Sequence, residues 1–202
     1  MRVGFFRRAG AFFIDTIPII MLLSLLLSFF VSDLLKDQFE NFDQISDEYS
    51  VNVDEYYATL ETYSSDLDNE IITQAEYDVL FADLDEQFNT DNLDAQSVIL
   101  SYYMNVLLYY LVSYAFISYL YNVIMKGQTF GRKLFQIELA GKITWFTLLI
   151  RELLWKTLFW ITTLFFGLLI DVFMIALTKN KKTLRDYFSG TQIIFKGTSY
   201  PF

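Results

Sequence analysis

Charged residues inside strongly apolar stretches are the candidates for chemistry in this sequence. Asp15 lies in the apolar stretch 11–32, and Arg151, Glu152 and Asp171 lie in the apolar stretch 143–177. A charge at the centre of a bilayer costs about 2.5–3.5 kcal/mol on insertion scales, so each of these residues needs a physical reason to be there. A carboxylate in such a place can bind and release a proton or a monovalent cation. Ion binding is therefore the chemistry that these residues predict.

The spacing of these charges suggests partners for some of them. Arg8 and Asp15 are seven residues apart, which places them within about 20° of the same helix face. We interpret them either as an ion site or as a structural pair, in which Arg8 reaches the headgroups while Asp15 pairs with it or caps a neighbouring helix. Glu152 and Lys156 have the favourable i,i+4 orientation. We interpret Arg151, Glu152 and Lys156 either as an interfacial stretch whose charges neutralise one another, or as a site in which Glu152 or Arg151 meets Asp15 in the bundle. Asp171 has no partner close to it in the sequence, so its partner must be a residue from another part of the chain or water.

The composition excludes several function classes. The chain of 202 residues contains no His and no Cys, which rules out disulfide frameworks, zinc fingers, thiol nucleophiles, Ser-His-Asp triads and histidine-bound metals. We therefore expect no cofactor and no metal site, and no nucleic-acid partner. An aspartyl dyad of Asp15 and Asp171 is conceivable, but the sequence around Asp171 is LLIDV, without the GxGD context of intramembrane aspartyl proteases, so we do not expect an enzyme.

The charges divide the chain into a membrane part and an insertion. The net charge of −9 combines −18 over residues 33–97 with a positive remainder, and residues 98–125 carry no charge at all. Stretches 11–32 and 98–125 are long enough to span a bilayer core of about 30 Å. We predict a membrane domain of residues 1–32 and 98–202, and an acidic extracytoplasmic insertion of residues 33–97.

Basic segments fix the expected topology. Residues 1–10, 126–142 and 178–202 are basic, so the positive-inside rule places all three, and both termini, in the cytoplasm. The stretch 143–177 then crosses twice, as helices of about 144–163 and 165–178 divided near Leu164. The second helix is short, so a re-entrant hairpin is the alternative. The predicted fold is an all-α transmembrane helical bundle of about four membrane helices.

The sequence of the acidic insertion predicts helices. Apolar residues at helical spacing predict a hairpin of helices at about 53–67 and 73–89. Thr73 and Glu76 have the spacing of a capping box at the start of the second helix. Asp66, Asp68 and Glu70 have the spacing of a calcium loop, but Ile71 stands at the turn position instead of Gly, so we do not predict an EF-hand. We interpret the surface as a solvated acidic face, with loose attraction of cations or recognition of a protein partner as the alternatives.

Two further patterns concern the cytoplasmic loops and the second span. The runs LFQIEL (134–139) and TQIIF (191–195) are β-prone and predict a small antiparallel ribbon. Gly127 and Gly131 would let the loop lie close to the membrane, with Arg132 and Lys133 on anionic lipid. In the second span four tyrosines share one helix face, which favours packing over a conduit; they are Tyr103, Tyr110, Tyr114 and Tyr121.

Four motifs, in order along the chain, resemble the RDD family. They are RRAGAFFID (7–15), GQTFGRKLFQIEL (127–139), RELLWK (151–156) and LRDYFSGTQII (184–194). The resemblance covers about 137 residues, everything except 33–97. The arginine and two aspartates that name the family match Arg8, Asp15 and Asp186. Arg151 matches a basic position of the family, Glu152 stands where Asn is common, and the acidic insertion departs from the compact family pattern.

The resemblance implies a bacterial plasma-membrane protein in which transport is suspected, with sodium/proton exchange proposed for some members. We therefore expect ion or small-solute transport, with Asp15 as the exchanging carboxylate, Arg8 tuning its charge, and Asp171 and Asp186 as gate or second-site acids. The expected partners are the lipid bilayer, a proton or monovalent cation, and a second copy or another membrane protein. The alternative is a non-transporting assembly or sensory subunit that binds a partner through the acidic ectodomain.

Overall fold

A computed structural model describes residues 3–163, 166–177, 179 and 181–197 of the chain. The chain forms two compact units, one of Met1–Leu27 with Tyr109–Phe202 and one of Ser28–Leu108. The described residues are mostly helical and include a two-stranded antiparallel sheet. The predicted division into a membrane domain and an insertion stays a prediction, because compactness does not show on which side of a membrane a unit lies.

Two long apolar helices are the main elements. Helix α1 (Phe5–Leu26) continues through a π-helical stretch (Leu27–Val31) into α2 (Ser32–Lys36), and α5 spans Leu93–Ile124. Each continuous helix has 32 residues and is long and apolar enough to cross a membrane. Only 11% and 17% of their most apolar windows are buried within the protein, which is unlike the core helix of a soluble protein. These helices correspond to the predicted spans and indicate a membrane protein.

The stretch after residue 143 is helical on both sides of the predicted division near Leu164. Helix α7 (Trp145–Leu148), a π-helix (Leu149–Leu158) and α8 (Phe159–Thr162) follow one another, and α9 spans Phe166–Leu177. Residues 164, 165 and 178 lie outside the described residues. The 12 residues of α9 rise about 18 Å, less than a hydrocarbon core of about 30 Å. Four membrane crossings therefore remain a prediction.

The predicted ribbon is confirmed as an antiparallel pair of strands. Strand β1 (Ile137–Gly141) pairs with β2 (Thr191–Phe195), with Leu139 opposite Ile193. The first strand starts later than predicted because Phe130–Leu134 forms the short helix α6 and Gln136 turns the chain at φ 54°. A second short helix, α10 (Leu184–Phe188), precedes β2. The apolar core of this unit contains one face of the sheet together with Val3, which precedes α1, and residues of α1 and α7: Ala11, Ile137, Leu139, Leu148 and Ile193.

The second unit contains the predicted helical hairpin. Helix α3 spans Phe42–Asp68, starting well before residue 53, and α4 spans Gln74–Asp91. The predicted capping box is present, with the Glu76 N–H donating to Thr73 Oγ1 at 3.3 Å and the Thr73 N–H donating to Glu76 Oε2 at 2.8 Å. These hydrogen bonds from Thr73 lower the pKa of Glu76. Tyr56 and Phe88 join the two helices with ring centroids 4.8 Å apart.

Candidate functional site

Nine charged side chains come together inside the first unit, and among the described residues ion pairs involve all of them except Asp15. They come from α1, α6, the π-helix Leu149–Leu158, α9 and α10, and seven of them are buried while Asp15 and Arg185 are half-buried. We call this set the charge network: Arg8, Asp15, Arg132, Arg151, Glu152, Lys156, Asp171, Arg185 and Asp186. All six site residues predicted from the sequence belong to it, and Arg132, Lys156 and Arg185 join them.

Asp186 is clamped between two arginines. Arg8 Nη1 donates to Asp186 Oδ2 at 3.0 Å, and Arg151 Nη1 donates to Asp186 Oδ1. The Thr183 N–H also donates to Asp186 Oδ2 at 3.0 Å, because Thr183 and Asp186 form a capping box at the start of α10. Burial alone would raise the pKa of Asp186, but the two guanidinium groups outweigh it and hold that pKa well below its usual range.

Arg8 does not pair with Asp15, so that predicted pair was wrong. Besides Asp186, Arg8 donates to the carbonyl of Lys181 at 2.8 Å and to the carbonyl of Ile193 at 3.3 Å. The side chain is only 6% exposed, so it does not reach outward to headgroups either. Arg8 instead connects α1 to the segment that carries α10 and β2.

Asp15 accepts hydrogen bonds only from neutral donors among the described residues. Thr129 Oγ1 lies 2.5 Å from Asp15 Oδ2, and the Gly131 N–H and the Tyr121 hydroxyl donate to Asp15 Oδ1 at 2.8 and 3.3 Å. Asp15 therefore caps the start of α6, which is one of the alternatives left open by the sequence. It contacts neither Arg151 nor Glu152 through a hydrogen bond or ion pair in the described part of the chain, contrary to the interpretation that they meet.

Gly131 makes this arrangement sterically feasible. A Cβ at residue 131 would lie 2.2 Å from the carbonyl oxygen of Ala11. The glycine and the small Ala11 thus let α6 approach the backbone of α1 directly, which brings the Gly131 N–H to Asp15. Gly127 and Gly131 were expected to let this loop lie close to the membrane; the structure shows that Gly131 lets it lie against α1.

Glu152 is surrounded by three bases. Arg132 Nη2, Lys156 Nζ and Arg151 Nε lie 3.1, 3.3 and 3.4 Å from its carboxylate oxygens. The Lys156 contact is the i,i+4 pair that the spacing predicts. The surrounding π-helix has wide turns, and Thr157 Oγ1 donates to the Glu152 carbonyl five residues earlier at 2.9 Å.

The prediction that Arg132 contacts anionic lipid was wrong. Arg132 does not lie on lipid but is buried, with its guanidinium donating to Asn122 Oδ1 at 3.1 Å and to the Gly127 carbonyl at 2.5 Å as well as to Glu152. Burial lowers the pKa of Arg132, although Glu152 opposes the effect. One signal in the sequence could have indicated this contact. Asn122 is an amide in an uncharged apolar stretch, and such a group needs a polar partner.

Asp171 finds its partners in α10. The Leu184 N–H donates to Asp171 Oδ1 at 3.1 Å, and Arg185 Nε lies 3.6 Å from Asp171 Oδ2. The expectation that this acid needs a partner distant in sequence is met by protein groups.

The tyrosine face of α5 packs against polar side chains of α1. The hydroxyls of Tyr114 and Tyr110 bond to Thr16 and Ser24 at 3.1 and 2.9 Å. Tyr121 binds Asp15, while Tyr103 is 63% exposed. Packing is therefore the role of most of this face.

A polar cavity of about 40 Å³ lies within the charge network. Six charged residues line it, together with the hydroxyls of Thr16, Tyr114, Ser118 and Tyr121; the six are Arg8, Asp15, Arg132, Glu152, Lys156 and Arg185. Lys156 donates to Ser118 Oγ at 3.2 Å and lies 5.1 Å from the centre of the Phe12 ring. A water needs about 10–15 Å³ of such space, so the cavity can hold a small ion or a few waters.

The described residues combine two long apolar helices, which indicate a membrane protein, with an internal cavity lined by charged side chains. Residues 2–190 match the model of the RDD family, and the chain belongs to that family. No curated protein and no solved structure matches the chain. Arg8, Asp15 and Asp186, which the family resemblance singled out, all lie in the charge network.

Proposed function

We propose that the protein is a small-ion carrier of the bacterial plasma membrane in which Asp15 is the exchanging carboxylate. Asp15 lines the polar cavity, and only neutral donors bind it among the described residues. Glu152, Asp171 and Asp186 are each bound by at least one arginine. A proton or monovalent cation that reaches Asp15 therefore does not have to displace a basic side chain, and this difference carries the proposal.

Tuning of Asp15 by Arg8 is not part of this proposal. Arg8 is occupied by Asp186 and two carbonyls. Asp171 and Asp186 hold α9, α10 and α1 together and so act on the cavity by positioning its walls.

We propose four crossings with both termini in the cytoplasm. The pairing of β1 with β2 supports this topology, because hydrogen-bonded strands must lie on the same side of a membrane. The segment between them then crosses an even number of times, either as two short spans or as a re-entrant hairpin. The contact of Arg8 with the Ile193 carbonyl brings the start of α1 to the same side.

Single-cysteine labelling tests the topology. The chain has no native cysteine, so each introduced thiol reports alone. We expect Lys133→Cys and Lys196→Cys to react only from the cytoplasm, and Asp54→Cys only from the outside. Labelling of positions 133 and 196 from opposite sides would contradict the topology.

Proteoliposome flux tests the carrier. We expect purified wild type to dissipate an imposed pH gradient when an alkali cation is added, and Asp15→Asn to lose this flux while it still folds. Glu138→Gln is the matched control, since Glu138 is an acid of the same unit but does not line the cavity. Absence of flux in the wild type, or full flux in Asp15→Asn, would refute the proposal.

The second candidate function is a non-transporting assembly or sensory subunit. The observation in its favour is that residues 28–108 form a compact unit of their own, which carries most of the acidic residues. Deletion of residues 36–95 separates the two functions. If the deletion variant keeps the flux, this unit is accessory to transport. If the wild type shows no flux and binds a membrane partner that the deletion variant does not bind, the result favours the subunit.

A further inference from the structure

The charges that line the cavity are unequal. Four bases line it, but only two acids do: Asp15 and Glu152. Glu152 is already contacted by three bases, and Asp15 is turned to the neutral donors at the start of α6. Arg8 and Arg185 pair with Asp186 and Asp171, which do not line the cavity, whereas Arg132 and Lys156 share the single charge of Glu152. Over the whole charge network five bases face four acids, which leaves an excess of one positive charge. An uncompensated charge in a membrane interior is costly, so a mobile anion is the expected remedy.

Hydrogen-bond donors are also in excess. Arg8 lines the cavity, and its buried Nε has no hydrogen-bond acceptor among the described residues. Glu152 Oε2 is a buried acceptor of the cavity wall that makes no hydrogen bond in the described part of the chain, but it lies 3.3 Å from Lys156 Nζ. Lys156 has three N–H groups, and its Nζ lies 3.2 Å from Ser118 Oγ and 3.3 Å from Glu152 Oε2. Donors left without acceptors at a buried site favour a ligand that only accepts hydrogen bonds. Charge and hydrogen bonding thus point to the same class of ligand.

We propose that the cavity binds a small monovalent anion, such as chloride, beside Lys156. The Lys156 ammonium and the Arg8 guanidinium supply the charge, and the hydroxyls of Ser118 and Tyr114 supply further donors. The volume of about 40 Å³ admits a halide but not an extended organic acid. One negative charge is the right amount, because the charge network contains five bases and four acids.

The proposal goes beyond the proposed carrier function, because it concerns equilibrium binding and holds whether or not the protein moves ions. It makes opposite predictions for two residues of one cavity. Lys156→Gln removes attraction and should weaken halide binding about tenfold or more, a change expected for the loss of one buried charge contact. Asp15→Asn removes repulsion and should leave halide binding intact or tighten it, even though the same variant is expected to lose cation flux.

Titration of potassium bromide and potassium chloride into the full-length protein in detergent tests the site. The titration is done by calorimetry at constant ionic strength, with potassium gluconate as the anion too large for the cavity. We expect a saturable, halide-specific signal below about 100 mM and a matching rise in melting temperature, since a ligand of the folded state stabilises it. Lys133→Gln is the matched control, because this exposed lysine lies next to Arg132 in sequence but does not line the cavity.

Three results would overturn the proposal: no halide-specific signal in the wild type, equal loss in Lys133→Gln and Lys156→Gln, or weakened binding in Asp15→Asn. Should Lys156→Gln fail to fold, Ser118→Ala replaces it, since this variant removes one proposed donor and should weaken binding severalfold. Failure of halide binding with intact cation flux would reject this inference alone, and the reverse result would reject the carrier alone.

Discussion

Replacement of Asp186 with Asn tests whether the two-arginine clamp holds the membrane unit together. The Asp186 side chain is 1% exposed and binds the guanidinium groups of Arg8 and Arg151. Asn preserves the shape and leaves both arginines buried without their counter-charge. Breaking a buried ion pair by removing one partner costs about 3–5 kcal/mol. In a chain of 202 residues each kcal/mol shifts the melting temperature by about 2–4 °C, so we expect a decrease of about 6–20 °C.

Intrinsic fluorescence of the purified full-length protein in detergent measures this decrease. Asp43→Asn is the control, because Asp43 forms an exposed ion pair with Lys36 at 2.7 Å and such pairs contribute little. The reasoning is refuted if Asp186→Asn melts within about 2 °C of wild type, as the control should. Arg8→Gln combined with Asp186→Asn should cost less than the sum of the single changes, because part of each single cost is the partner left unpaired.

The clamp also predicts the direction of a pH dependence. The pKa of Asp186 is lowered in the folded state, whereas in the unfolded chain it has the usual value of about 3.9. The clamp therefore contributes its full stability above pH of about 4 and loses it as the pH falls further towards the folded pKa. The difference in melting temperature between wild type and Asp186→Asn should be constant between pH 7 and about 5 and become smaller below about 4. A difference that grows on acidification would contradict the lowered pKa.

Three other changes have outcomes that the structure predicts. Gly131→Ala places a Cβ 2.2 Å from the Ala11 carbonyl and should lower the melting temperature markedly, whereas Gly4→Ala, whose Cβ meets nothing closer than 4.0 Å, should not. Arg132→Lys should destabilise almost as much as Arg132→Gln, since one ammonium cannot reach the three acceptors that the guanidinium binds, and recovery of wild-type stability would contradict this. Thr73→Ala removes a helix cap and should cost about 1 kcal/mol, seen as faster hydrogen exchange of the first amides of α4; unchanged exchange would argue against the cap.

Local signals in the sequence predict most of the elements. The hairpin of α3 and α4 follows from apolar periodicity and the Thr73–Glu76 box, and the strands follow from β-prone runs next to turns. Such elements are stabilised by residues close to one another in sequence, so spacing is sufficient evidence. The long apolar helices are predicted for the same reason, because length and composition alone decide whether a helix can span a bilayer.

The partners of the buried charges could not be predicted in this way. Arg8 and Asp15 share a helix face by spacing, yet Arg8 binds Asp186 and Asp15 binds the start of α6. Seven residues of helix rise about 10 Å, which is far enough for two side chains on one face to meet different neighbours. Which neighbours they meet depends on the position of α6 and α10, and that depends on close approaches such as Gly131 at Ala11. The sequence gives six of the nine residues of the charge network but not their connections, and it does not place Arg132 or Arg185 among them.

The structure assigns the two kinds of basic residue to different tasks. Four of the five bases in the charge network are arginines, whose planar guanidinium groups can bind several acceptors at fixed angles. Most of the other described bases of the same unit are lysines, and none of these bases is buried: Arg7, Lys126, Lys133, Lys142, Lys179, Lys181, Lys182 and Lys196. Lysine is a strongly hydrated point charge suited to headgroups and water. The positive-inside prediction does not depend on the bases of the charge network. Without them, the remaining bases still lie in the three segments that the sequence assigns to the cytoplasm. Neutralising these lysines should disturb the orientation of the protein in the membrane and leave the folded unit stable. Neutralising arginines of the charge network should destabilise the folded unit and leave the orientation unchanged.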